Sequence, residues 1–307
     1  MVSFASLRLC AIALFCLFSL SAPCFAGEPA PRYAVAEMPT PVLNTPDIAA
    51  VFGGRDGRTL QADNCGQLRA MEFVALPGTV FTIEAEQTKG KLRVYRVTTA
   101  DYPYPSKKGY FIDSRLVRIT EKKPPERPRQ LPPKETVIDN LLAAKGSRYV
   151  WGGNVRSGLP QMLSLYPPAG SVPLPSETAA MWRLHGVDCS GLLYEATGGF
   201  TPRNTSALIG YGKGVEIAGL SPERIIGRVE PLDLIVWQGH VIIILDRERT
   251  IESRLDCGGK NGGVVVRPLQ EALAGVMTGR MAVDDYADAA KRGKKGFVIR
   301  RWYETVR

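Results

Sequence analysis

Asp188-Cys189-Ser190-Gly191-Leu192 is the stretch on which the reading of this chain turns. Asp188 has the residue type that caps a helix start, and the apolar residues Leu192, Leu193 and Ala196 extend the helix until Gly198 and Gly199 stop it. Cys189 then falls in the first turn, where unpaired backbone N–H groups and the positive end of the helix dipole favour a thiolate. A nucleophilic thiol needs a base, and the chain has two histidines, His185 and His240. His185 is cut off from the helix by Gly186. His240 opens the apolar run Val241-Ile242-Ile243-Ile244-Leu245, a buried strand whose single polar starter calls for a reason, and it is the better base.

A third residue that holds the imidazole tautomer is expected on the next strand, Thr250-Ile251-Glu252-Ser253. Hairpin register decides between two candidates. A three-residue loop of Asp246-Arg247-Glu248 places Glu252 opposite Ile242 and diagonal to His240, whereas a four-residue loop places Ser253 there. Glu252 is favoured. Ordinary alternatives stand beside these roles: an inert buried cysteine, a structural histidine, a solvent-facing Glu252, a simple N-cap at Asp188 and a surface charge at Arg203.

With these residues in place, the chain resembles the NlpC family of papain-like bacterial cell-wall peptidases. The resemblance runs through Gly146-Ser147-Arg148-Tyr149-Val150-Trp151-Gly152-Gly153, Asp188-Cys189-Ser190-Gly191 and Pro202-Arg203-Asn204-Thr205-Ser206. It resumes at Glu230-Pro231-Leu232-Asp233-Leu234-Ile235-Val236-Trp237, Gly239-His240-Val241 and Thr250-Ile251-Glu252. It implies a cysteine endopeptidase acting on peptidoglycan stem peptides, commonly between γ-D-glutamate and a diamino acid, with no cofactor. By the same resemblance Asp188 receives the free amine of a trimmed stem, with Ser190 and Tyr149 beside it in the substrate site. The chain departs from the family at Glu252, where histidine, asparagine or glutamine is more frequent. It also carries an insertion between Gly153 and Asp188, which is expected to wall the cleft.

The expected fold class is α+β: a papain-like catalytic domain over 136–307, with a helix starting at a Thr136 cap, preceded by a small β-barrel over 40–120. Runs such as Val80-Phe81-Thr82-Ile83-Glu84 and Leu92-Arg93-Val94-Tyr95-Arg96-Val97 alternate with glycine-bearing turns there, and the segment resembles bacterial SH3-like domains. Tyr102, Tyr104 and Tyr110 read equally as groove or core. Residues 121–135, rich in proline, read as a stiff linker.

Residues 1–26, with Arg8, an apolar run from Leu9 to Leu20 and a small-residue end at Ala26, read as a secretory signal peptide. The expected location is therefore the periplasm or cell envelope, with the membrane met only through that transient leader. Cys65, Cys189 and Cys257 remain beyond it, an odd number that leaves one thiol free and permits a Cys65–Cys257 disulfide. No zinc-type spacing of Cys or His occurs, so no metal is expected. The net charge of +9 suits an anionic wall polymer, and the basic residues scatter without a nucleic-acid-binding motif. Two rival readings stay open: an amidase cutting the sugar–peptide link, and a non-catalytic wall-binding module.

Overall fold

In the computed structural model, residues 32–258 and 262–304 are described; the expected signal peptide lies outside them. Seven antiparallel strands form the first sheet: β1 (Arg32–Ala36), β2 (Thr40–Leu43), β3 (Met71–Ala75), β4 (Val80–Lys89), β5 (Leu92–Thr98), β6 (Tyr110–Asp113) and β7 (Val117–Thr120). Their order is β3-β2-β6-β5-β4-β1-β7. The two run-and-turn segments expected as strands are β4 and β5. β5 is covered on both faces: Leu92 and Val94 enter one core with Leu43 and Met71, Tyr95 and Val97 of opposite parity enter another with Phe73 and Phe81, and Arg93 and Arg96 stay exposed. The expected closed barrel is not what these residues build. The sheet is open, with β3 and β7 as its two edges and a bulge in β4 between Ile83 and Ala85.

One of those edges is used rather than left bare. Asn154 lies against β3 and imitates another strand: its Oδ1 accepts the Val74 N–H at 2.9 Å and its Nδ2 donates to the Val74 carbonyl at 2.9 Å. Both groups are buried, so each would be costly unpaired. The insertion between Gly153 and Asp188 continues this contact. Leu159, Met162, Tyr166 and Trp182 share one core with Leu43, Met71, Val74 and Phe111 of the first sheet. The insertion therefore packs on the N-terminal sheet and supplies no residue to the wall of the cleft described below, contrary to expectation.

Residues 123–133 carry neither helix nor strand, as their prolines dictate, but they are anchored. Arg127 and Arg129 both reach the buried Asp101, and Arg127 also donates to the carbonyls of Gly198 and Gly199. Helix α1 (Lys134–Ala143) follows directly, two residues before the expected Thr136 cap, with Pro133 at the N-cap position. Proline there costs nothing, because its missing N–H would be unpaired anyway.

The second sheet carries the motif residues. Its strands are β8 (Lys213–Val215), β9 (Leu234–Trp237), β10 (His240–Ile244), β11 (Arg249–Arg254), β12 (Gly263–Pro268), β13 (Met281–Ala282) and β14 (Gly296–Arg301). The order is β8-β14-β9-β10-β11-β12, with β13 parallel to β14. Both faces of β10 are covered. Val241 and Ile243 meet helices α1 and α2 (Cys189–Ala196), whereas Ile242 and Ile244 meet α3 (Leu269–Gly279). That double coverage is why β10 reads as a continuous apolar run.

Candidate active site

Helix α2 is built by its ends. Asp188 caps it, its Oδ1 accepting the Gly191 N–H at 2.7 Å. Past Ala196, Gly198 and Gly199 adopt positive φ and donate to the carbonyls of Glu195 and Tyr194, a Schellman arrangement open only to glycine-like backbone. Gly191 is required for another reason: a Cβ there would collide with the Gly153 carbonyl. Cys189 thus opens the helix, with its sulfur 3.9 Å from the Gly239 carbonyl oxygen. Cys189 is the free cysteine among the described residues, since Cys65 and Cys257 are joined in a disulfide.

His240 starts β10, at the rim of the sheet, and its ring lies close enough to the Cys189 sulfur to feel its charge. Its Nε2 lies 2.7 Å from Oε2 of Glu252. The β10–β11 register pairs Ile243 with Ile251 and Ile244 with Thr250, around a three-residue loop of Asp246, Arg247 and Glu248. Asp246 fixes that loop by accepting the N–H groups of Glu248 and Arg249. Glu252 consequently stands diagonal to His240. Ser253 points elsewhere, its hydroxyl donating to the Val187 carbonyl at 2.7 Å.

Burial by itself would keep the His240 ring neutral, but the Cys189 sulfur and the Glu252 carboxylate outweigh it and raise the ring to about 9. Burial likewise pushes the Glu252 carboxyl up, and His240 with Arg267 overcomes this and holds it below the usual range. Arg267 donates to the second oxygen, Oε1, at 3.1 Å. The imidazole therefore sits between a thiol and a fixed anion, the setting of an acid–base partner for a sulfur nucleophile.

A cleft of about 100 Å³ opens beside Cys189. Asp188, Ser190 and Tyr149, the residues the sequence placed in a substrate site, all line it. Asp188 is fully engaged: it accepts from the N–H groups of Gly191 and Gly152, from Ser190 Oγ and from both arms of Arg203 at 2.8 and 3.0 Å. Arg203 is buried, not a surface charge, and it also reaches Asn154 Oδ1 and the Gly153 carbonyl. Burial, with Asp188 and the cysteine sulfur nearby, raises the Tyr149 phenol and keeps it protonated.

Two further lining residues come from the N-terminal part: Glu72 on β3, which had no signal in sequence, and Tyr102 in the loop after β5, which the sequence read equally as groove or core. Glu72 on β3 accepts from Asn44 Nδ2 at 2.7 Å and from the Tyr102 hydroxyl at 3.3 Å. The Tyr102 ring stacks on Phe73 at 4.4 Å, so this tyrosine is core and cleft at once, and Tyr110 is buried beside it. Among the described residues, no cluster of His, Cys, Asp and Glu could hold a metal ion.

No family model matches the chain, and no curated protein matches it. Solved structures that match include an NlpC/P60 family protein from Bacillus cereus ATCC 10987, at 16% identity and a TM-score of 0.29 over 78% of this chain and 59% of that one. NlpC1 from Trichomonas vaginalis matches at 12% identity and 0.27, covering 78% of this chain and 64% of its own. NlpC2 from Trichomonas vaginalis matches at 15% and 0.26, covering 77% and 66%. The chain thus spans less than two thirds of the length of each of these proteins. These neighbours are NlpC/P60 proteins at low similarity.

Proposed function

We propose that this chain is an exported cysteine peptidase that hydrolyses an amide bond in a peptidoglycan stem peptide. The observation that carries the proposal is His240, held by the Glu252 carboxylate and neighbouring the Cys189 sulfur, which is set at a helix start beside a small cleft. In the proposed reaction His240 takes the thiol proton and Sγ bonds to the carbonyl carbon. The Cys189 N–H, which α2 does not use, is a donor for the oxyanion, and the Tyr149 hydroxyl is a second. As the C–N bond breaks, the imidazolium gives its proton to the departing amine. Water then attacks the thioester with His240 as base, and the C–S bond breaks to release the acid and restore the thiol.

The stem-peptide substrate follows from the sequence motifs, and the cleft supports a narrower form of it. Asp188, already held by five donors, has no open lone pair for an incoming amine. Glu72 lines the same cleft and has no arginine or lysine partner among the described residues, so it is the better acceptor for the terminal amine of a trimmed stem. With Glu72 and Tyr102 closing one end, the space beyond Cys189 suits a single small terminal residue. The Cys65–Cys257 disulfide supports an oxidising location, the periplasm or envelope. Mass spectrometry of muropeptides incubated with the chain tests the proposal: new fragments split within the stem support it, whereas release of intact stems from sugar means an amidase, and binding without turnover means a wall-binding module.

A further inference from the structure

Trp151 lines the cleft and is 38% exposed, so burial does little to hold its indole in place. Its position is set by polar contacts instead. The Trp151 N–H donates to Gln67 Oε1 at 3.0 Å, and the next N–H, that of Gly152, donates to Asp188 Oδ2 at 3.1 Å. The Arg69 guanidinium lies over the indole, 4.1 Å from its ring centroid. Trp151 is thus strung between the cap of the nucleophile's helix and the loop before β3.

That loop, residues 61–70, has neither helix nor strand. Asp63 draws it into a ring: Oδ1 accepts the N–H groups of Cys65 and Gln67, Oδ2 accepts from Arg69 Nε at 2.5 Å, and the Asp63 N–H donates to the Gln67 carbonyl. Gln67 is buried and uses its amide twice, on Trp151 and, through Nε2, on the Cys65 carbonyl at 3.3 Å. Leu68 seats one end of the ring in the core. The other end is fixed by the Cys65–Cys257 disulfide, which ties it to the segment after β11. Beside Cys65 lies a cavity of about 340 Å³, lined also by Gly66, Gln67 and Tyr149, so on that side the covalent link holds the loop where packing does not.

We propose that Gln67 and Arg69 are positioning residues for the Trp151 wall of the cleft, and that the Cys65–Cys257 disulfide is the latch that keeps them in place. The latch governs capture of the acyl part of the substrate and leaves bond breaking to Cys189 and His240. The inference rests on the peptidase reading. Opening the latch takes a dithiol, which closes its own disulfide while the sulfurs of Cys65 and Cys257 take up the two electrons and two protons. Cys189, already a thiol, is unchanged by that step.

The test measures kcat and KM separately for the full chain on an L-alanyl-γ-D-glutamyl-diamino acid peptide, before and after dithiothreitol. Reduction is expected to raise KM about tenfold with kcat within about twofold, and Cys65→Ala with Cys257→Ala should reproduce this without reductant. Gln67→Met keeps the volume and the disulfide but leaves the Trp151 N–H without its acceptor, and should raise KM by a similar factor in the oxidised protein. Arg69→Ala, at an exposed position that folding does not depend on, should raise it about threefold. A merely structural role gives the opposite split, because unfolded molecules lower the measured kcat and leave the KM of the folded remainder alone. A KM unmoved by reduction or by Gln67→Met, or a loss confined to kcat, would overturn the latch while leaving the peptidase intact. No turnover by the oxidised wild type overturns the peptidase reading and the latch with it.

Discussion

Glu252 holds the His240 ring from the far side of the thiol, Oε2 to Nε2 at 2.7 Å, and is itself held by Arg267. The arrangement leaves Nδ1 for the sulfur and makes the imidazolium the favoured form up to about pH 9.

Replacing that carboxylate should therefore change both rate and pH dependence. Glu252→Gln is expected to lower kcat/KM about 100-fold and to move the alkaline limb of the pH profile below its wild-type position near 9, since the neutral amide stabilises the imidazolium less. Ser253→Ala should leave the limb where it is, because the Ser253 hydroxyl serves the Val187 carbonyl. A pH–rate series on both variants checks this, and an unmoved limb in Glu252→Gln would count against the orienting role.

The same pair makes a stability prediction with a definite sign. His240 is raised from 6.5 to about 9 on folding, so its contribution is complete below about pH 6.5 and is lost as pH rises through 9. Glu252 is held below 4.5, so its contribution is complete above that value and is lost as pH falls through the depressed one. Urea midpoints should decline on the alkaline side between those His240 limits, and His240→Ala should remove that decline.

Arg203 and Asp188 form a buried, two-armed ion pair at 2.8 and 3.0 Å behind the nucleophile. Arg203→Met leaves the Asp188 carboxylate buried without its counter-charge, which costs about 3–5 kcal/mol. Arg203→Lys restores charge but not the fork and should recover only part of this. Equilibrium unfolding measures both; a loss under about 1 kcal/mol for Arg203→Met would show that the pair is not holding the helix start.

The disulfide joins Cys65, in the loop before β3, to Cys257, after β11, across 192 residues. Closing so long a loop in the unfolded chain is worth up to about 5 kcal/mol on chain-entropy grounds, and Cys65→Ala with Cys257→Ala is expected to lose about 2–5. Alkylation of the native chain lacking residues 1–26 should add one label, at Cys189. Labels at Cys65 and Cys257 would contradict the pairing.

Local features of the site could be read from sequence because local rules decide them. Asp188 and the paired glycines bound one helix, and a loop of three residues pinned by Asp246 sets the register that brings Glu252 rather than Ser253 to His240. Contacts between distant segments could not be read this way. Glu72 and Tyr102 enter the cleft because Asn154 docks on the edge of β3 and the insertion packs on the first sheet, relations no periodicity encodes. For Arg203 the sequence left a motif position and a simple surface charge both open; the fold shows four partners closing around it. The expected barrel is instead an open sheet, one edge of which meets Asn154.

Cys189 is the proposed nucleophile, a role on which every step of the proposed reaction depends. Turnover of an L-alanyl-γ-D-glutamyl-diamino acid peptide, followed by mass spectrometry for wild type and Cys189→Ala side by side, tests it most directly. Cleavage at the γ-glutamyl bond by the wild type is expected, with a rate at least about 10³-fold lower for Cys189→Ala and the fold retained. Equal turnover by the two proteins would contradict it.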